Sequence, residues 1–243
     1  MSDSQNGTRV NTPDSVLVLS LPLHTVDCGT AAGLILEWAL RNESRVACAA
    51  NVHMVMEARD DPRLRDKLNG SDLSVPDGMP LVWALRAVGE RAWHVRGADL
   101  ARELCRRAQD AGVPIGLYGA TPATLAAFQH VLREDYPALQ ISFAASPPFR
   151  QLTEEEDRAT IEAIRESGVR ILLVGLGCPK QELWMMEHRG QLQCVMLGIG
   201  AAFDFLAGTK PQAPRWMQRF GLEWTFRLLT DPRRLWRRYL KHN

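Results

Sequence analysis

Two stretches of this chain hold residues whose types and spacing could carry chemistry. One is an aspartate between proline and glycine, Pro76-Asp77-Gly78. The other is a glycine turn leading into Pro179-Lys180-Gln181-Glu182. Asp77 follows a short extended run, where a helix should begin. A helix dipole favours a carboxylate at that place, so Asp77 is expected to be ionised at neutral pH and able to accept a proton. Aspartate is also a preferred N-cap, so spacing alone leaves base and cap both open. In the second stretch, Ile171 to Val174 reads as a strand buried on both faces. Gly175 and Gly177 allow a tight turn, and Pro179 suits the first turn of the helix that follows. Strand, turn and helix start would aim free backbone N–H groups at one point, which suits a phosphate. Lys180 adds a mobile positive charge, and Gln181 a group that both donates and accepts hydrogen bonds. Gly-x-Gly alone is common in α/β turns; the Pro-Lys-Gln-Glu after it makes the signal more specific.

Other polar residues stand at similar places. Asn51 closes a short strand, where it could hold a sugar hydroxyl or cap a helix. Asp99, after Gly97, is expected to be a cap. His53 lies on a helical face, a setting more typical of a packed or exposed histidine than of a catalyst. Gly119 ends a strand. Asp204 lies inside an apolar helix start; an unpaired buried carboxylate is costly there, so it needs a partner or a task.

The elements that must position these residues alternate. Strands are expected at Ser15–Leu21, Arg45–Ala50, Leu73–Pro76, Trp93–Arg96, Val113–Tyr118, Leu139–Ala144, Ile171–Val174 and Gln193–Ile199. Helices fall between them: one from Thr30, as its cap, to Leu40, others after Asn51, Asp61 and Gly78. Further helices run over 100–108, 122–134 and 153–167, the last opening with the capping-box pattern Thr153-x-x-Glu156. Strand–helix alternation predicts a Rossmann-like, doubly wound, mainly parallel sheet. Ligands in such sheets lie beyond the carboxyl ends of the strands. Asn51, Asp77, Gly119, Gly175, Gly177 and Gly200 all fall at such ends.

Bulk composition sets limits. The 243 residues are 46% hydrophobic and 23% charged, with a net charge of +1. That is a globular mix with no global argument for nucleic acid as a partner. Five cysteines, at 28, 48, 105, 178 and 194, include no C-x-x-C pair. They are expected to be buried thiols in a reducing compartment, without disulfides or zinc. No signal peptide is expected, and no apolar run approaches the ~20 residues that span a bilayer.

Three segments follow: residues 1–14, polar and expected to be disordered; 15–213, the α/β domain; and 214–243, a basic appendage. The appendage carries eight basic and two acidic residues, net +6, which leaves −5 on the first 213. Arg215, Arg227, Arg233, Arg234, Arg237 and Arg238 are interleaved with Trp216, Phe220, Trp224, Trp236 and Tyr239. Arginines four apart make stripes on a helix. Beside aromatics, that is the makeup of a helix lying on an anionic membrane surface.

Several stretches resemble the WecG/TagA/CpsF family of bacterial glycosyltransferases. They are GLGCPKQELW (175–184), IGAAFDFLAGTKPQAPRW (199–216), GLEWTFRLLTDPRRLWRRY (221–239), ANVHMVMEARDDPRL (50–64), DLSVPDGMPLVWALR (72–86) and RGADL (96–100). The similarity runs from about Val16 to Tyr239. It implies an inverting transferase that moves a hexose or N-acetylhexosamine from a UDP-sugar to a sugar on a polyprenyl diphosphate, in cell-surface or exopolysaccharide synthesis. It implies a peripheral position on the inner face of the cytoplasmic membrane, with the appendage helping to complete the active site. Self-association is known in the family, so a homo-oligomer is compatible. The family's proposed base matches Asp77, its conserved asparagine Asn51 and its P-K-Q-E glutamine Gln181. No metal or other cofactor is implied, and the chain has no D-x-D. Three positions depart from the usual family pattern: Ala49 for threonine, His94 for arginine, and Gln212 for the arginine of R-A-P. They leave the reaction type standing and the choice of sugar open, glucosyl and N-acetylmannosaminyl transfer being favoured.

The resulting expectation makes Asp77 the catalytic residue. Asn51, Gly97, Asp99, Gly119, Gly175, Gly177, Lys180, Gln181 and Asp204 form the substrate-binding set, with the diphosphate near Gly175 to Gln181. Two rival readings are a nucleotide-dependent oxidoreductase and a non-catalytic module recruited to membranes. The first lacks the G-x-G-x-x-G at its first strand–helix turn.

Overall fold

The computed structural model describes residues 13–230 and Pro232. In chain order it contains β1 (Ser15–Val18), β2 (Leu21–His24), α1 (Cys28–Leu40), β3 (Arg45–Ala50), α2 (Val52–Asp60), α3 (Pro62–Leu68), β4 (Leu73–Pro76) and α4 (Met79–Ala87). Then come α5 (Gly97–Ala111), β5 (Ile115–Gly119), α6 (Pro122–Asp135), β6 (Ile141–Ala145), α7 (Glu154–Glu166), β7 (Ile171–Gly175), α8 (Lys180–His188), β8 (Val195–Gly198) and α9 (Ala202–Leu206). The appendage opens with α10 (Arg215–Arg219) and α11 (Glu223–Thr230).

Six strands form one sheet in the order β4-β3-β8-β7-β5-β6, every pair parallel. All six carboxyl ends therefore share one rim. Strand residues alternate between two cores, as a pleated strand requires. Ala47, Leu73, Leu117, Ile171, Leu173 and Leu197 face α1, α5, α6 and α9. Val46, Cys48, Tyr118, Leu172, Val174 and Met196 face α2, α3, α4, α7 and α8. Helices on both faces explain why the strands are apolar throughout rather than alternating.

Local chemistry sets the boundaries. Asp27, not Thr30, caps α1: its carboxylate accepts from the Thr30 N–H at 2.7 Å. The Thr153/Glu156 capping box forms as expected. Ser15–Leu21 is not one strand. The chain turns at Leu19 (φ 55°) and Ser20, making an antiparallel hairpin of β1 and β2. The hairpin lies beside edge strand β4, where the His24 Nδ1 accepts the Ser74 N–H at 2.9 Å and so occupies an edge donor. Trp93–Arg96 is not a strand either. It crosses the end of β4, with Val95 N–H donating to Pro76 O at 3.0 Å. All five thiols are free; Cys48, Cys105 and Cys194 are buried, and Cys28 and Cys178 partly so. Among the described residues no helix is long and apolar enough to cross a membrane.

Candidate active site

A cleft, partly open to solvent, lies over the carboxyl ends of β3 and β4. Its walls come from four places. Asn51, Val52 and His53 follow β3; Asp77 to Pro80 follow β4; and Gln218, Gly221, Glu223, Trp224 and Arg227 come from the appendage. His94, from the loop crossing β4, completes it. The appendage docks closely: a Cβ on Gly221 would lie 2.6 Å from the Trp83 ring and 3.1 Å from Met79 Cβ. Its backbone there has φ 68°, so two independent constraints favour glycine. Glu223 reaches Arg96 at 3.8 Å and Arg227 at 2.5 Å, and the Arg227 guanidinium lies 4.9 Å from the Phe205 ring centroid.

Asp77 sits at the bottom of this arrangement. Its backbone N–H donates to Ala50 O at 2.6 Å, tying the residue to the end of β3. The cap reading is excluded, because α4 begins after Gly78 with no side-chain cap. The carboxyl instead turns toward α5, where the nearby Gly97 N–H favours its ionised form. A Cβ added at Gly97 would lie 3.4 Å from Asp77 Oδ2 and 3.2 Å from Ala49 Cβ, so a larger side chain there would crowd the carboxyl. Its other oxygen, Oδ1, faces His94 Nε2 at 3.9 Å. Burial, with the like charge of Glu223 nearby, pushes the Asp77 carboxyl up to about 6, against the pull of Arg227, the Gly97 N–H and Arg96. This corrects the expectation of a dipole-favoured, ordinary carboxylate: desolvation outweighs the helix field. Burial also lowers the His94 imidazole, helped by Arg96 and opposed by Glu223 and Asp99.

The structure thus brings Asn51, Asp77, Gly97 and Arg227 together. Asn51 caps α2, its side chain accepting from Met54 N–H at 3.2 Å, and it also lines the cleft. The remaining candidates lie elsewhere. Asp99 is not a cap; it stands in the first turn of α5, exposed, near Arg96 (3.4 Å) and Arg102 (3.5 Å). Gly119 and Gly175 are register partners at the ends of β5 and β7. A Cβ on Gly119 would meet the Gly175 backbone at 2.5 Å, and one on Gly175 would meet the Phe203 ring at 2.5 Å. Close packing therefore accounts for both glycines. Gly177 (φ 85°) and Lys180 are exposed at the start of α8. Gln181 turns inward instead, donating to Glu182 Oε1 at 2.7 Å, and its Oε1 is buried with no hydrogen-bond partner among the described residues. Asp204 has found its partner in Lys210 at 3.2 Å, with the Thr124 hydroxyl at 3.4 Å. Arg215 opens α10 on the surface. Arg233, Arg234, Arg237 and Arg238 lie outside the described residues.

Three site neighbours stood outside the candidate set read from the sequence. Glu223 is one of only two acids in the basic appendage, and that isolation was its one signal. His53 lines the cleft rather than serving the core, 3.7 Å from Glu57. His94 showed itself only as an unusual residue at its position. Among the described residues, no three or more His, Cys, Asp or Glu side chains converge as a metal-binding group.

A titratable carboxyl at the floor of a rim cleft, faced by arginine from a docked appendage, is chemistry suited to proton removal beside a charged leaving group. The glycosyl transferase WecG/TagA/CpsF family model matches residues 16–243, nearly the whole chain. Nucleotide-sugar donors and sugar acceptors come with that family, and the oxidoreductase reading falls away. This protein therefore belongs to the WecG/TagA/CpsF family, the glycosyltransferases of cell-surface polysaccharide synthesis.

Proposed function

We propose that the enzyme transfers a hexose or N-acetylhexosamine from a UDP-sugar to a sugar carried on a polyprenyl diphosphate, by one inverting displacement. Glucosyl and N-acetylmannosaminyl transfer are the favoured forms. The observation that carries this reading is the half-buried Asp77 carboxyl on the cleft floor, a quarter exposed yet raised to about 6. Such a group is ionised at pH 7 yet more basic than an ordinary aspartate, a good match for general-base work. The acceptor hydroxyl gives its proton to Asp77 as its oxygen bonds to the anomeric carbon. The bond from that carbon to the UDP oxygen breaks, and UDP leaves with the electron pair. Asn51 orients a sugar hydroxyl. Arg227 meets a diphosphate, exchanging its contact with Glu223 for phosphate oxygens.

The nucleotide would lie along the rim toward Gly177 and Lys180, where α8 begins. Asp77 and that turn are three strand spacings apart, roughly 14 Å, a distance an extended nucleotide sugar can cover. Arginines and a helix N-terminus supply the charge stabilisation, and no metal is invoked. The appendage would hold the enzyme on anionic lipid at the inner face of the cytoplasmic membrane. Its net charge supports this, as do the exposed Trp216, Phe220 and Leu229. A chain ending at Thr230 keeps Glu223 and Arg227 but loses four arginines; it should no longer co-sediment with anionic liposomes.

The test is UDP release from a panel of UDP-sugars, with and without a short-chain lipid-diphosphate-sugar acceptor. Release that needs both substrates is expected. Release from no UDP-sugar, or release indifferent to the acceptor, would reject the assignment.

A further inference from the structure

We propose that His94 is the positioning residue for the Asp77 carboxylate: its Nε2–H donates to Oδ1 while the Gly97 N–H holds the carboxyl from the α5 side. This rests on Asp77 being the base. The geometry that points to it is specific. His94 Nε2 is buried and has no hydrogen-bond partner among the described residues. Among the described residues, the carboxylate within 4 Å of it is that of Asp77, whose Oδ1 lies at 3.9 Å. A buried ring nitrogen left without a bond is costly, and a carboxylate one short movement away is the acceptor that would satisfy it. At 3.9 Å no hydrogen bond exists yet. Such contacts are often long without substrate and tighten in the reacting complex. A sugar hydroxyl entering the cleft would press on the His94 ring, which lines the same space.

Holding both carboxyl oxygens fixes the plane of the group. A carboxylate has about four lone-pair sites, so two donors still leave sites free for the acceptor proton. Asp77 belongs to the loop after β4, a four-residue strand, and Gly78 beside it has φ 154°. Little in that loop fixes the side chain by itself. The charged and titratable groups facing His94 come from every neighbouring element. They are Asp77 after β4, Arg96 and Asp99 at the start of α5, Glu223 and Arg227 on α11, and His53 across the cleft. None of the other carboxylates is placed for a bond to Nε2.

The neutrality of His94 matters. Its lowered titration keeps it uncharged near pH 7, so it donates a hydrogen bond without adding a full positive charge beside the base. A permanent cation at that point would favour ionised Asp77 and weaken it as a proton acceptor. His94 thus supplies orientation while leaving Asp77 basic.

The test uses the full-length enzyme in the UDP-release assay, with kcat, KM and the pH dependence of kcat/KM measured for each variant. His94→Ala should lose kcat by about tenfold or more, with donor KM little changed, a partial loss within the range of general-base assistance. His94→Gln, whose amide can still donate, should recover most of it. His94→Arg, or His94→Lys if the arginine does not fit, should move the acidic limb of the profile to lower pH by about one unit or more. An alanine variant with normal kcat would overturn the proposal. So would a cationic variant whose limb stays with the wild type. Asp77→Asn, run alongside, separates the two ideas. Near-normal turnover there removes the base itself, whereas a crippled Asp77→Asn with an indifferent His94 series removes only the positioning role.

Discussion

Strand β4 carries a carboxylate at each end, and the two have opposite surroundings. Asp72, at the amino end, is buried and saturated. It accepts from the Val46 N–H at 2.8 Å, Arg45 at 2.7 Å and Arg189 at 2.6 Å. These bonds fasten β3, β4 and the end of α8 together beneath the sheet. Asp77, five residues on, has a backbone donor at Gly97, a histidine still 3.9 Å away, and a like charge nearby. One residue type thus becomes a fastener at one end of the strand and, in the proposed mechanism, a base at the other. What differs is how completely each carboxylate is satisfied, and that depends on the rims. The lower rim is closed by paired side chains. The upper rim is left open, as the cleft over β3 and β4.

Substitutions should separate the two. Removing the charge from Asp72 leaves two arginines facing a neutral amide. Asp72→Asn should cost about 2–4 kcal/mol, since breaking a buried ion pair strands its partners and these arginines are one-third exposed. Urea denaturation would show this as a lower midpoint, with kcat per folded molecule unchanged. A kcat that fell with stability intact would erase the contrast.

Asp77→Asn should move stability the other way. Its folded pKa, about 6, lies above the usual value of 3.8, so the ionised form is the one folding disfavours. The strain is absent below about pH 4, grows as pH rises through 6, and is full at neutral pH. The asparagine variant should therefore melt higher than wild type at pH 7.5, by on the order of 1 kcal/mol. At pH 4 the two should melt together. A variant less stable at pH 7.5 would mean that the carboxylate is held as Asp72 is.

The smallest effect sharpens the comparison from the appendage side. Glu223→Gln removes the like charge, so Asp77 should ionise more easily. The acidic limb of kcat/KM should move down by a fraction of a pH unit. Movement upward would show that Glu223 acts mainly by holding Arg96 and Arg227, not through its own field.

Much of this was legible in the sequence because burial on both faces leaves a plain mark. Apolar runs at Arg45–Ala50 and Ile171–Val174, with helices between them, give the parallel sheet and its shared rim. Asp77 and Asn51 follow at once as rim residues. Less visible was anything that depends on a neighbour distant in the chain. The hairpin turn at Leu19 uses a left-handed backbone without glycine, so SVLVLSL looks continuous. Gly119 and Gly175 resemble a phosphate turn, but what they accommodate is each other and Phe203. Gln181 looks exposed in a Pro-Lys-Gln-Glu run, yet α8 turns it beneath Gly198 and Gly200, where its amide lies 3.0 Å from a Cβ built on Gly198. The pKa of Asp77 depends on Glu223, nearly 150 residues away, and no local pattern encodes that approach.

In the proposed mechanism Asp77 removes the acceptor proton. The most direct measurement is kcat/KM for UDP release against pH, in wild type and Asp77→Asn under identical conditions. Wild type should lose activity below an inflection near pH 6, as protonation silences the base. Asp77→Asn should fall by about 10²–10⁴-fold and lose that inflection. An asparagine variant that keeps wild-type turnover, with the same acidic limb, would contradict the claim.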